Sequence, residues 1–122
     1  MEELVGRLVA KAGLERSVAE KAIGIILDFL MKEGPSDKVQ GLVDDMPGAQ
    51  QLLTAAQNEP STGMLGGMGG IMGAANRLMS AGLSMGQVQT VTQEFIAFAR
   101  EKAGEDAVGD VVGAIPGLGA FV

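Results

Sequence analysis

Two groups of carboxylates, Asp44-Asp45 and Glu105-Asp106 with Asp110, are the residues whose type and spacing come nearest to a chemical site. Oxygen ligands of this kind suit a hard cation such as calcium, and a carboxylate pair can act as general acid and base. Neither reading gains support from the pattern. The spacing is not that of a calcium-binding loop, and acids at helix starts are the ordinary complement of the helix dipole. Ser17, Ser61, Ser80 and Ser84 have no histidine to activate them, and the chain has no cysteine. The stretch "GMGGIMG" has the glycines of a phosphate loop without a strand before it or a lysine after it. The expectation is a non-enzymatic protein with no catalytic residue, no metal site and no cofactor.

The elements that position these groups follow from composition. The chain has 122 residues, enough for one helical domain spanning 1–122. Apolar residues make up 47% and aromatics only 3%, so the core must be built from Ala, Val, Leu, Ile, Met and Phe. Small aliphatic side chains favour closely packed helices over a β-sandwich. The net charge of −6 leaves no basic face, which makes nucleic acid an unfavourable partner. The N-terminal "MEELVGRLVAKAGLE" lacks the basic start and long apolar run of an export signal. A cytoplasmic protein is the expectation.

The run "GMLGGMGGIMGAANRLM", Gly63 to Met79, carries its only charge at Arg77. It is too short in apolar residues to span a membrane. Leu65, Met68, Met72, Ala75 and Met79 follow the spacing of a helical seam, but each interior glycine costs about 1 kcal/mol relative to alanine. The spacing therefore predicts a loop over Gly63–Gly70 and a helix from Ile71. One use of the run is an adaptable surface for an apolar ligand or partner helix, formed by Met64, Leu65, Met68, Ile71, Met72 and Met79. The other is core, with Met68 and Met72 buried against a neighbouring helix.

Sliding the chain against itself by 69 positions aligns residues 2–53 with 71–122 and gives nine identities. They include Ala12/Ala81, Gly13/Gly82, Leu14/Leu83, Phe29/Phe98, Val39/Val108 and Pro47-Gly48/Pro116-Gly117. These are turn glycines, helix stops and apolar anchors, as expected of two related units. The units are 2–57 and 64–122, joined at a turn-rich seam, 58–63. Each reads as three helices: Glu2–Lys11, a long second segment and Asp37–Asp45, matched by Ile71–Ser80, a second long segment and Asp106–Ala114. "GAQQLLTAAQ" after Pro47 adds another helix. Ser17…Glu20 and Ser84…Gln87 have capping-box spacing.

Val18, Ala22, Ile25, Ile26, Phe29 and Leu30 cover more than half of the second segment, which should be central. In the other unit Val88, Val91, Phe95 and Phe98 make a narrower stripe. Three short helices per unit leave Ile23, Ile26 and Leu30 uncovered, and such a patch is commonly buried by two-fold pairing. The expected partners are therefore a second copy or another helical protein. An apolar ligand or peptide held in a Met/Gly-lined groove between the units is the alternative.

The order "LVGRL…AGL…A…IL…L", "MPGAQQLL", a Gly-rich run and "LMSAGLSMGQV…F…F" resembles the VcgC/VcgE-type family of small bacterial proteins over most of the chain. Met46 to Leu53 is the most specific match. The resemblance implies an all-helical fold, without an assigned function and with no catalytic residue to carry across. Members of that family often have an export signal, which is not read here.

Overall fold

The computed structural model describes residues 2–58, 70–115 and 117–121. Within them the fold is all α. The helices are α1 (Glu2–Ala12), α2 (Arg16–Glu33), α3 (Ser36–Asp45), α4 (Ala49–Asn58), α5 (Gly70–Ser80), α6 (Met85–Ala103) and α7 (Glu105–Ala114), followed by a 3-10 turn, Leu118–Phe121. The expected seam lies outside the described residues except for Asn58, and so does the expected loop except for Gly70.

Helix α2 is the centre. Every residue from Ala22 to Leu30 is buried, as expected for a helix apolar on nearly all sides. It packs against α1, α3, α4, α5 and α6. Ile23, Ile26 and Leu30 are only 0%, 6% and 1% exposed. The uncovered patch expected there does not exist, because helices from both halves of the chain close over it. Gly24 permits the closest of these approaches: a Cβ at this position would stand 2.6 Å from the Leu52 carbonyl oxygen of α4.

The helices of the two halves cross. Helix α1 lies on α6, and α5 lies on α2. One cluster of buried side chains therefore draws on both halves, from Leu4, Leu8 and Phe29 to Leu78, Phe95, Phe98 and Val111.

Helix ends explain how the short segments are held. After α5 the chain makes a Schellman turn, with the Leu83 amide on the Leu78 carbonyl and the Gly82 amide on Met79. Gly82 supplies the positive φ of 114°, and Leu78 and Leu83 are both buried beside it. At α6 the expected capping box is present: Ser84 Oγ accepts from the Gln87 amide at 3.2 Å, and Gln87 Oε1 accepts from the Ser84 amide at 2.8 Å. Gln87 Nε2 also donates to the Ala12 carbonyl at 2.9 Å, joining the start of α6 to the end of α1. The Ser17 box does not form. Helix α2 begins two residues earlier than a Ser17 cap would set, at Arg16, with Glu15 as an N-cap that makes no side-chain bond. The earlier start leaves Ser17 inside the first turn, while Arg16 pairs with Glu2 of α1.

Candidate interaction surface

Helix α5 has two distinct faces. Gly73, Ala75 and Leu78 are buried, and their small average size lets the helix lie close to α2. Met72 and Met79, seven residues apart, are on the other side and 57% and 36% exposed. The expectation that Met72 fills the core is therefore wrong. The inward stripe is turned away from Met72 and Met79 because the smaller side chains allow the tighter approach. Ile71 falls in the first turn of α5, while Met64, Leu65 and Met68 lie outside the described residues. Met85, at the start of α6, is 47% exposed. Met46, by contrast, is a core residue at 1% exposure.

Between α5 and α2 sits a charge pair that the sequence reading passed over. Asp28 is buried at 2% exposure, and its Oδ2 accepts from Arg77 at 2.7 Å. Lys32, one turn along α2, reaches the same oxygen at 3.1 Å. Asp28 Oδ1 is buried without a hydrogen-bond partner among the described residues. Burying a carboxylate is costly unless it is paired, so Arg77 is fixed against α2. The signal was present in the sequence: one acid inside the apolar "AIGIILDFL", and one arginine closing a long uncharged run.

The α1–α6 contact carries its charges on the outside. Arg7 grips Glu101 with two bonds, 2.7 and 2.8 Å, and also reaches Glu3 at 3.3 Å. Lys102 meets Glu3 at 3.7 Å, and Lys11 meets Glu94 at 3.6 Å. The Arg7 guanidinium and the Lys102 ammonium lie 5.6 and 5.5 Å from the Phe98 ring centre, within cation–π range. The hydrogen bond from Arg7 holds the Glu101 carboxyl below its ordinary range, opposed by burial and helped to a smaller extent by the charges of Arg7 and Lys102.

An apolar crevice opens where the halves meet. Ile26 and Phe29 line it from α2, Ala75 and Leu78 from α5, Val88 from α6, and Leu118 from the closing turn. Its volume is about 30 Å³, room for a few waters and far short of a drug-sized ligand. Thr92, also on its wall, bonds its own helix at the Val88 carbonyl, 2.8 Å away. Neither Met72 nor Met79 lines this crevice.

The carboxylate groups do not converge on a site. Asp110 pairs with Lys38 at 3.0 Å, and Asp44 accepts from Gln40 at 3.1 Å. Asp45, Glu105 and Asp106 are exposed. Among the described residues, no helix is long and apolar enough to cross a membrane. Comparison with protein-family models, curated proteins and solved structures finds no match.

Proposed function

We propose that this is a non-enzymatic helical association module that binds a second copy of itself or another helical protein along the outer edge of α5. The observation that carries the reading is the composition of that edge. Val9, Met72, Met79 and Met85 are the large apolar side chains left exposed among the described residues, and the three methionines belong to α5 and the start of α6. Methionine is unbranched and polarizable, so it adapts to a partner surface at little steric cost. The expected α2 contribution to this interface is withdrawn, since α2 is covered within the chain.

The test is light scattering over a wide concentration range, with the parent compared to Met72→Glu/Met79→Glu. Self-association predicts a mass above 12.5 kDa for the parent that falls toward the single-chain value in the variant. A parent fixed at the single-chain mass, with no shift on adding amphipathic helical peptides, contradicts the proposal.

We also read the chain as two related units, with α1, α2 and α3 corresponding to α5, α6 and α7. Bonding at the helix stops supports this. Met46 N–H meets the Val43 carbonyl and Ala49 N–H the Met46 carbonyl, while Ile115 N–H meets Val112 and Leu118 N–H meets Ile115. Each bond maps onto its counterpart under the shift of 69 residues. Gly48 and Gly117 share a φ of 87°. Phe29 and Phe98 are both buried.

A carrier role has the crevice between the units in its favour. Its volume admits no lipid or peptide without separation of α5 from α2, so a carried ligand would have to open the body. Co-purified lipid in native mass spectrometry would favour that reading.

A further inference from the structure

The two crossed contacts, α1 on α6 and α5 on α2, place different chemistry at corresponding positions. The pairs Glu3–Lys102, Arg7–Glu101 and Lys11–Glu94 run antiparallel along α1 and α6. This ladder sets Leu8 of α1 level with Ala97 of α6. Under the shift of 69, Leu8 corresponds to Arg77 and Ala97 to Asp28. Arg77 and Asp28 are the pair that meets in the α5–α2 contact. One contact is thus apolar against apolar at this level, and the other is cation against buried carboxylate.

Now consider two copies pairing by like halves, with α1 of one laid on α2 of the other as it lies on α6. Lys102 corresponds to Glu33 and Glu101 to Lys32. Glu3 would then face Glu33, and Arg7 would face Lys32. Leu8 would cover Asp28, a carboxylate that is 2% exposed in the native pairing, which would lose Arg77 and keep only Lys32 of its own helix. In the other like pair, Arg77 would face Ala97 in place of Asp28, with Glu101 one turn further along α6. Two rungs of the ladder would become like-charge contacts, and the buried Asp28 would be parted from Arg77; parting a buried pair is the costlier of the two.

We infer that Glu3, Arg7, Leu8, Asp28, Lys32, Glu33, Ala97, Glu101, Lys102 and Arg77 form a pairing code. The code makes unlike halves of one chain close on each other and rejects like halves of a second copy. It rests on the two-unit reading above.

The experiment rewrites the code in the full chain, in the Met72→Glu/Met79→Glu background so that mass reports only on the halves. The first variant carries E3K, R7E, L8R and R77L, which mismatches the intrachain contacts and matches like halves between copies. The second adds D28A, A97D, E101K and K102E, which restores matching within one chain. The expected result is a doubled mass by light scattering for the first variant and the single-chain mass for the second, both with helical circular dichroism.

A first variant that is folded and single-chain at all concentrations overturns the code. If it does not fold, E3K/R7E alone decides, since it alters no buried residue. A concentration-dependent mass there supports the code, and a constant single-chain mass overturns it. Failure of the second variant to fold would instead sink the two-unit reading, because corresponding positions would not be interchangeable.

Discussion

Gly24 and Gly6 are both helical glycines, and their surroundings make opposite demands. Replacing a helical glycine by alanine gains about 1 kcal/mol of intrinsic helix preference. At Gly24 the added Cβ would also stand 2.6 Å from the Leu52 carbonyl oxygen and 3.1 Å from the Ala56 Cβ. Overpacking of this kind typically costs ~1–3 kcal/mol, and here the obstacle is backbone. Gly24→Ala should therefore destabilise the protein by about 1 kcal/mol net. Gly6, in exposed backbone of α1, has nothing within 4 Å of that Cβ, so Gly6→Ala should stabilise by roughly 0.5–1 kcal/mol. Urea midpoints of the two variants test both signs. Residue types alone did not reveal this difference, because a glycine in an apolar helix reads the same whether it faces a backbone or solvent. Asp28 and Arg77 were likewise visible as isolated charges, but only the crossing of α5 over α2 makes them partners. Met72 was misplaced for a related reason. A stripe of small residues competed with a stripe of methionines, and close helix approach favoured the small one.

At the scale of elements, the helices were legible because apolar spacing and turn glycines agree. The boundaries of α1, α3, α4, α5 and α7 fall within a residue or so of expectation. What spacing did not carry was which helix crosses which, since that depends on contacts far apart in sequence. The α1–α6 contact has a pH signature. Glu101 is held below its ordinary pKa of 4.5, mainly by the Arg7 hydrogen bond, and Glu2 is lowered by the hydrogen bond and charge of Arg16. A carboxylate with a depressed folded-state pKa contributes stability that is fully present above its unfolded value. That contribution is lost as pH falls through the folded value. Docking of α1 should therefore weaken below about pH 4.5. The loss should be modest, because exposed ion pairs are screened by solvent. Glu101→Gln removes the clamp at every pH, so its urea midpoint should fall less between pH 7 and pH 3 than that of the parent. Equal falls would show that the clamp contributes nothing to the acid response.

The whole molecule is held by burial shared between halves. Neither α2 nor α6 is covered by its own half alone, since α5 comes to α2 and α1 comes to α6. Composition foretold an all-α body with a small-residue core. Each half closes over the other within one chain, in place of the two-fold pairing that the apolar surface of α2 suggested. The same closure leaves Val9, Met72, Met79 and Met85 as the exposed large apolar side chains among the described residues, and the proposed association uses the methionines.

The most direct measurement of this closure is an isotope-filtered nuclear Overhauser experiment on a mixture of labelled and unlabelled copies. Phe29 of α2, Leu78 of α5 and Leu118 of the closing turn line one crevice. Contacts from the Phe29 ring to the Leu78 and Leu118 methyls should be strong in the uniformly labelled protein and vanish in the filtered spectrum, because they arise within one chain. Persistence of the same contacts in the filtered spectrum would mean that the halves pair between copies, and would contradict the account.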